Sequence, residues 1–363
     1  MFCVDVDGMT ITINGNVYVR RCSYSGTSNS NGVIYWNGQY VNNKFEINSS
    51  EFIVDNVTTT KAIFHVYQAY ASVTDNIVIN VSTFSITNCT INDSSSVAAN
   101  QVAVIVLSTA NSKFRLNCDK GYITDNTTRE AVIYNISGGT LTMRGNEIVM
   151  ERNIYSDTNY QSYIRCINGV NTFEGITIRN QNTNINANAY EGNCLFCLTG
   201  TNAGRAMNLK NIKVYDCDVK GAYLYLFDES GNGAMTLSGD NEFFNNKYGG
   251  WGNAARSFIE VGGTNTFKVV DGTTKIYNNT SNVLTIADVR FTGIVNINSV
   301  NGLTVENALL EINDNITGMY TNNQQGGIIH LRNDDANINL IGTGSLRVKN
   351  NKLDTTTLDQ LNF

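Results

Sequence analysis

Large apolar residues recur along the chain in short runs, and each run is introduced by a small residue. AYLYL at 222–226 and SFIEV at 257–261 show the order: a small residue, two large apolar residues, a variable residue and usually another apolar one. Runs this short and rich in β-branched residues predict strands, because a helix would need a longer apolar period of 3.6 residues. We name this five-residue pattern the box. Its other copies are GVIYW (32–36), AIFHV (62–66), AVIVL (103–107), AVIYN (131–135), SYIRC (162–166), CLFCL (194–198), NVLTI (282–286) and GIIHL (327–331).

A second motif is a short strand that ends in Asn or Cys, and the box falls between successive endings. The endings run from Cys22 to Asn351, and their regular recurrence, with a period of about 33 residues, is typical of a repeat architecture. A third short strand, such as AMTLSG (234–239) or IVNINSV (294–300), lies between a box and the following ending. The endings are VRRC (19–22), IVDN (53–56), ITNC (86–89), ITDN (123–126), MERN (150–153), VYDC (214–217), FFNN (243–246), IYNN (276–279), INDN (312–315) and VKNN (348–351).

Three strands in each repeat, with no helix between them, predict a solenoid in which every strand stacks on its counterpart in the next coil. The sequence therefore predicts an all-β fold: a single-stranded right-handed parallel β-helix of about ten coils, each of about 33 residues and three strands. A β-sandwich would instead show strands roughly every 8–12 residues without this three-strand register. No linker composition interrupts the repeats, so residues 1–363 are predicted to form one β-helix domain.

The box also predicts which side chains face outward, because side chains alternate along a strand. The third position is always large and apolar, so we expect it to point inward, together with the small first position. The fourth position is chemically mixed, with members as different as His65 and Glu260, which indicates a solvent-facing row. The second position would then also face outward, as an apolar ladder. Its aromatic members, with nearby loop residues, predict a ligand-binding strip of rings suited to sugars or a protein partner: Tyr163, Tyr190, Tyr223, Tyr225, Tyr248, Trp251 and Phe258.

The Asn and Cys endings predict the corners of the coils. Asn tolerates the left-handed backbone of a turn, and stacked Asn amides can hydrogen-bond from one coil to the next as an Asn ladder. Cys replaces Asn at 22, 89 and 217, where a small, partly buried side chain fits. No pairing among the eight cysteines is compelling, so free buried thiols are expected.

Composition excludes several classes of protein. The chain has 363 residues, 42% hydrophobic and 15% charged, which argues against disorder. Its net charge is −6 and its basic residues are scattered, so nucleic acid is not an expected partner. No apolar run approaches the ~20 residues of a membrane span. No metal or cofactor motif occurs. The first residues lack a signal-peptide pattern, and we hypothesise that the chain is a fragment of a longer surface protein.

Several motifs resemble those of a known class of repeats. Phe243–Asn246 and Phe114–Asn117 match F-x-x-N, and AVIY at 131–134 is similar to the second half of a G-G-A-(I/L/V) box. The pairing of such motifs resembles, in degenerate form, the polymorphic outer-membrane-protein type of adhesin repeat within the pectin-lyase-like fold. The double glycine is mostly missing, and Ile, Met or Val often replaces the Phe. The resemblance implies adhesion or surface binding. We therefore expect an extracellular or cell-surface protein that binds a surface glycan, a polysaccharide or a host or partner protein, and self-association is an alternative to a separate partner.

An enzyme is the main alternative, because many pectin-lyase-like β-helices cleave polysaccharides as lyases or glycoside hydrolases. The ionisable residues at the fourth box position are two or three coils apart, roughly 10–14 Å, so they do not share one reacting atom. Asp228 and Glu260 lie in adjacent coils but are offset by about 10 Å. We therefore predict that the chain has no catalytic activity. A structural component of a surface layer or filament is a further alternative. The dispersed residues are His65, Arg165, Glu260 and His330.

Overall fold

The computed structural model describes residues 7–24, 32–72, 74–91, 102–129, 131–155, 162–182, 194–219, 221–226, 232–249, 257–281, 293–318, 328–332 and 334–354. These residues form strands, turns and bends, and no helix occurs among them. The chain divides into two compact units, which are described separately. Unit 1 comprises Met1–Asp157 and Ile164–Thr177, and unit 2 comprises Thr158–Tyr163 and Ile178–Phe363. The single domain expected over 1–363 stays a prediction.

Unit 1 contains short strands and strands of up to twelve residues. In chain order they are β1 (Thr10–Asn14), β2 (Val17–Arg20), β3 (Ser23–Tyr24), β4 (Gly32–Gly38), β5 (Lys44–Asp55), β6 (Thr58–Thr59), β7 (Ala62–Gln68), β8 (Ile77–Thr87), β9 (Thr90–Ile91), β10 (Ile105–Leu107), β11 (Lys113–Thr124), β12 (Thr127–Thr128), β13 (Ile133–Asn135), β14 (Thr140–Glu151), β15 (Ile154–Tyr155), β16 (Ile164–Ile167) and β17 (Val170–Arg179), whose last two residues belong to unit 2.

Unit 2 repeats the same succession of strands. They are β18 (Phe196–Thr199), β19 (Arg205–Lys210), β20 (Lys213–Tyr215), β21 (Leu224–Leu226), β22 (Gly233–Ser238), β23 (Asn241–Phe244), β24 (Lys247–Tyr248), β25 (Ile259–Gly263), β26 (Thr266–Tyr277), β27 (Thr280–Ser281), β28 (Val295–Ser299), β29 (Leu303–Asn313), β30 (Ile316–Gly318), β31 (Ile329–Leu331), β32 (Ile338–Ile341), β33 (Ser345–Lys349) and β34 (Lys352–Asp354).

Each unit builds three parallel sheets from strands of successive coils. In unit 1 the box strands stack as β4-β7-β10-β13-β16, the long strands as β1-β5-β8-β11-β14, and the corner strands as β3-β6-β9-β12-β15. In unit 2 the corresponding stacks are β18-β21-β25-β28-β31, β19-β22-β26 with β29, and β24-β27-β30-β34. The predicted all-β parallel solenoid with a repeat of about 33 residues is therefore confirmed, with about eight turns. The predicted number of ten coils and the predicted right-handed sense are supported only approximately.

The third box position points into the core, as predicted. Phe64 of β7 is fully buried, and its ring lies 5.4 Å from that of Phe52 and 5.3 Å from that of Phe114, both on long strands. Phe84 stacks on Phe52 at 5.5 Å. Box strands and long strands thus bury their apolar faces against each other, which forms the central core of the coils.

The Asn ladder forms at the predicted endings. In unit 2, Nδ2 of Asn246 donates to Oδ1 of Asn279 at 2.9 Å, and Nδ2 of Asn279 donates to Oδ1 of Asn315 at 2.9 Å. Each Nδ2 also donates to a carbonyl of the preceding coil, as Asn279 does to Phe243 at 3.0 Å. A second ladder in unit 1 joins Asn126 to Asn153 at 3.0 Å.

The corner itself is turned one residue earlier than expected. The backbone φ is +55° at Asn245, +56° at Asn278 and +54° at Asp314, each immediately before a ladder residue. Among the described endings, only Asn56 has a positive φ, +52°. The ladder Asn therefore does not adopt the left-handed backbone of the corner, and its side chain points inward to make the hydrogen bonds.

One box was assigned to the wrong segment. NVLTI at 282–286 lies outside the described residues. The strand that pairs with the SFIEV box is β28, which places Val295 opposite Ile259. The segment IVNINSV was therefore wrong as a third strand. Its start, GIVNI at 293–297, carries the same small–large–large order as a box, which is the signal that the sequence reading overlooked.

The described cysteines form no disulfide, and five of the seven are buried as expected, whereas Cys22 is exposed and Cys118 is half-buried: Cys22, Cys89, Cys118, Cys166, Cys194, Cys197 and Cys217. Where Cys replaces Asn in the ladder, its thiol takes over part of the donor role. Sγ of Cys217 donates to the carbonyl of Tyr215 at 3.2 Å and to that of Ile178 at 3.7 Å.

Candidate binding surfaces

The chain bends at the second box position, and the bend places two consecutive side chains on the inner side. The N–H groups of Tyr223 and Leu224 both donate to the carbonyl of Phe258, at 2.9 and 3.1 Å. In a regular strand successive N–H groups point in opposite directions, so a shared acceptor marks a break in the alternation, as in a β-bulge. The same position is a bend in AVIVL, AVIYN, SYIRC, CLFCL and SFIEV.

The aromatic side chains at this position belong to the core of unit 2. The ring of Tyr223 stacks on that of Phe258, with centroids 4.3 Å apart, and its hydroxyl donates to the carbonyls of Cys217 and Lys247, both at 3.0 Å. Phe258 in turn meets Phe243 edge-on at 5.8 Å. Burial raises the pKa of the Tyr223 hydroxyl well above its ordinary value.

The expectation of an exposed aromatic strip is therefore wrong for the described members. For the box residues the cause is the bend at the second position and the packing of the fourth position described below, whereas Tyr248 lies on the corner strand β24 and packs edge-on against Phe258 at 5.5 Å. Tyr163, Tyr223, Tyr225, Tyr248 and Phe258 are at most 2% exposed. Tyr190 and Trp251 lie outside the described residues.

A second apolar layer covers the outer side of the box strands. In unit 1 the fourth-position side chains of Val106 and Tyr134 pack against the first-position residues Ala62, Ala103 and Ala131. In unit 2 the corresponding layer consists of Cys194, Cys197, Ala222 and Tyr225. The first position is thus small because it lies beneath larger outer side chains, and it does not share the central core as expected.

Two of the four ionisable residues of the fourth position are buried in consequence, and Arg165 and His330 are half-buried, which corrects the expectation of a solvent-facing row. His65 is 2% exposed, and its Nε2 lies 2.7 Å from Oγ of Ser108, which donates to the carbonyl of Val66. Glu260 is 6% exposed, and its Oε1 accepts the backbone N–H of Ser257 at 2.8 Å. Asp228, which the sequence places in the coil adjacent to Glu260, lies outside the described residues.

The described surface of unit 1 contains a polar groove on the long strands, which sequence reasoning missed. The groove has a volume of about 460 Å³ and crosses β8, β11, β14 and β17. We define the polar groove by its lining residues: Asn80, Val81, Asn117, Cys118, Asp119, Arg144, Gly145, Asn146 and Glu174.

One wall of the polar groove is a row of side chains in register. Nδ2 of Asn80 donates to Oδ1 of Asn48, and Nδ2 of Asn117 donates to Oδ1 of Asn80, each at 2.8 Å. Arg144 continues the row opposite Asn117, and its Nε lies 3.6 Å from Oε2 of Glu174. The hydrogen bonds fix the amides in one line at the coil spacing of ~4.8 Å, and strand register places the exposed Arg144 next in that line.

Glycines allow the long strands to kink at the groove floor. Gly175 has φ +70°, and a Cβ there would lie 2.1 Å from the carbonyl oxygen of Gly145. At Gly145 a Cβ would lie 2.7 Å from a side-chain carbon of Ile148. A larger residue at either position would fill the concavity or push the strands apart.

The chemistry of the polar groove is that of a hydrogen-bonding site. It offers amide donors and acceptors, a guanidinium, and the carboxylates of Asp119 and Glu174. Its Cys118 is a poor nucleophile at neutral pH, because burial raises the pKa of the thiol to about 12. Among the described residues no group of three His, Cys, Asp or Glu side chains is arranged to hold a metal ion.

Unit 2 displays a different surface on its long strands. The rings of Tyr215, Phe244 and Tyr277 stack in successive coils at 5.0 and 5.1 Å with interplanar angles of 9°. We name these three residues the aromatic row. All three are half-buried and point away from the core.

A row of side chains with alternating charge runs beside the aromatic row, because the residue two positions before each ring is charged. We name it the charge row, and strand register places its members in the order Lys213, Glu242, Lys275, Glu311 and Arg347. Lys213 and Glu242 approach to 3.8 Å, and Arg347 and Glu311 to 3.4 Å. The signal for the aromatic row was present in the sequence at the endings VYDC, FFNN and IYNN, where the residue before the left-handed corner is aromatic, and a charged residue immediately precedes each of these endings.

Comparison of the chain with protein-family models, with curated proteins and with solved structures finds no match. The parallel solenoid is compatible with the resemblance to adhesin-like repeats but does not establish that family. Within the described part of the chain, no helix has the length and apolar character needed to cross a membrane.

Proposed function

We propose that this protein is an adhesin-like binding protein of the extracellular space or cell surface, and that the polar groove of unit 1 binds a glycan. The observation that carries the proposal is the line of fixed amides leading to Arg144 on the wall of an open groove. The pectin-lyase-like adhesin resemblance supports the class of function, and the groove supplies the surface that the buried aromatic strip does not.

The ligand class follows from the lining groups. Sugar hydroxyls both donate and accept, so they pair with amides, carboxylates and guanidinium groups. Asn117 and Asn146 offer both functions, Arg144 offers donors, and Asp119 and Glu174 offer acceptors. An apolar ligand would leave these groups desolvated and without hydrogen bonds, which is unfavourable. The open groove suits a saccharide chain that lies along the surface with part of each ring in water.

The experiment is a glycan array followed by titration of the best glycan. Arg144→Ala and Asn117→Ala should each weaken binding about 10-fold or more, since each removes hydrogen bonds made in the groove. Arg115→Ala is the matched control, because Arg115 is also an exposed arginine with one carboxylate partner, Asp75 at 2.8 Å, but it does not line the groove. Equal losses for Arg144→Ala and Arg115→Ala would contradict the proposal, as would an array without specific binding.

A glycoside hydrolase is the second candidate, because the polar groove brings two carboxylates into one cleft, Asp119 and Glu174. Hydrolases of this kind need one acid and one base or nucleophile on either side of the scissile bond. Release of reducing ends from a polysaccharide panel, lost in Asp119→Asn and in Glu174→Gln, would favour this candidate over simple binding. Binding without release in the unmodified protein would favour the adhesin.

A further inference from the structure

We propose that the charge row and the aromatic row of unit 2 form a self-complementary interface, through which two copies of this chain associate. The interface would be isologous, with a two-fold axis parallel to the strands between the coils of Glu242 and Lys275. This inference concerns a different surface from the polar groove and does not depend on glycan binding.

The alternation of charge is what makes the surface complementary to itself. Read along the stack, Lys213, Glu242, Lys275 and Glu311 give plus, minus, plus, minus. The proposed two-fold axis reverses this order in the second copy, so that every charge faces its opposite. Lys213 then faces Glu311 of the other copy, and Glu242 faces Lys275. Interfaces of closed dimers require such mutual matching of one patch with itself.

The ion pairs within one chain leave charged groups of the charge row able to pair with a second copy. Lys213 pairs with Glu242 at 3.8 Å, and Glu311 is held by Arg347 and Lys349, each at 3.4 Å. Among the described residues, exposed Lys275 forms no ion pair, although Glu242 and Glu311 flank it in register. A second copy would bring a carboxylate over this amine from outside.

The aromatic row supplies the apolar part of the same surface. The inner ring faces cover one another at 5.0 and 5.1 Å, so Phe244 presents its edge outward and offers no face on which a sugar ring could stack. The same two-fold axis sets Phe244 opposite Tyr277 of the other copy. The outward ring edges of the two copies then meet in an apolar contact between two packed sheets. This geometry favours a protein surface over a saccharide as the occupant.

The size of the surface sets the strength of the association. Four coils face each other across the axis, so at ~4.8 Å per coil the strip is roughly 19 Å tall, and its two outward rows make it roughly 15 Å wide. Such a footprint is smaller than that of a stable specific interface, so the dimer should be weak and should dissociate as salt screens its charges. The two-fold axis also places Asp216 opposite Asp314 at the exposed rim, which limits the affinity further.

The experiment is sedimentation velocity on the full chain over a range of concentrations, at low and at high salt. The unmodified protein should show a monomer–dimer equilibrium that salt shifts toward monomer. Glu242→Lys and Lys275→Glu should each weaken self-association at least about 10-fold, because each sets two like charges opposite each other across the axis. Circular dichroism of each variant confirms that it is folded.

Two further samples separate this interface from a role within one chain. An equal mixture of the two single variants should form heterodimers about as well as the unmodified protein, because every facing charge is again opposite. The double variant Glu242→Lys/Lys275→Glu should recover self-association for the same reason, although it creates like-charged neighbours within its own stack. Failure of both samples to recover association would overturn the proposal, as would a monomeric unmodified protein. Loss of glycan binding in the single variants of a monomeric protein would instead identify a ligand site.

Discussion

Asn246 and Asn279 lie one above the other in successive coils, and Oδ1 of Asn279 accepts both the backbone N–H and the side-chain amide of Asn246, at 3.0 and 2.9 Å. Asn279 passes the same pattern on, because its own N–H and Nδ2 donate to Asn315. Each ladder amide therefore satisfies buried polar groups of two neighbouring coils.

The ladder predicts a large cost for removing one member. Asn279→Ala leaves a buried N–H and a buried amide of Asn246 without their acceptor, and each unsatisfied buried group costs about 1–3 kcal/mol. The free energy of unfolding, measured with urea, should fall by roughly 2–4 kcal/mol. Asn278→Gly is the control, because the side chain lost there is exposed and the left-handed backbone of this residue suits glycine. Similar losses for the two variants would contradict the ladder.

The corrected position of Tyr223 makes a second prediction. Tyr223→Phe removes the hydroxyl that donates to the carbonyls of Cys217 and Lys247, and this loss should cost about 1–3 kcal/mol. Tyr223→Ala also removes the ring that stacks on Phe258, and it should cost about 3–5 kcal/mol. Tyr122→Ala, at an exposed tyrosine of unit 1, should change the melting temperature little. An unchanged melting temperature of Tyr223→Ala would contradict this burial and would support the exposed aromatic strip expected from the sequence.

Asn279 and Tyr223 show which structural features could be predicted from the sequence and which could not. The repeat, the Asn ladder and the inward third position followed from spacing and residue type alone. The inward orientation of Tyr223 could not be predicted, because alternation along a strand says nothing about a bend at the second box position. The polar groove was hidden for another reason: Asn117 and Arg144 belong to different repeats of the sequence, and only strand register brings them side by side.

Alkaline pH should destabilise the protein. Burial raises the pKa of Cys89 to about 11 and that of Cys118 to about 12, and it raises the pKa of Tyr223. Groups with a raised pKa in the folded state contribute full stability below their unfolded pKa and lose it as the pH rises toward the folded value. The contribution of these groups to the free energy of unfolding should be constant below about pH 8 and fall above about pH 9. Tyr223→Phe should show a smaller fall, and equal slopes would contradict the assignment.

The kink beneath the polar groove predicts a specific glycine requirement. Gly175→Ala combines a clash against the carbonyl of Gly145 with the left-handed penalty of about 1–2 kcal/mol. Gly204→Ala is a matched control, because Gly204 has a similar φ of +79° and nothing within 4 Å of the added carbon. Urea unfolding should therefore show a larger loss for Gly175→Ala. Equal losses of unfolding free energy for the two variants would mean that the long strands can shift at the groove to accommodate the added carbon at little cost.

The most direct test of the account compares, on one ligand, the polar groove with Tyr223, which the sequence placed in the binding strip and the structure places in the core. The glycan selected on the array is titrated by calorimetry against Asn117→Ala/Arg144→Ala, which alters the polar groove, and against Tyr223→Phe, which alters the buried box residue and leaves the fold in place. The account predicts that the groove variant loses binding at least about 10-fold, while Tyr223→Phe binds like the unmodified protein. Unchanged binding by the groove variant together with weakened binding by Tyr223→Phe would contradict it.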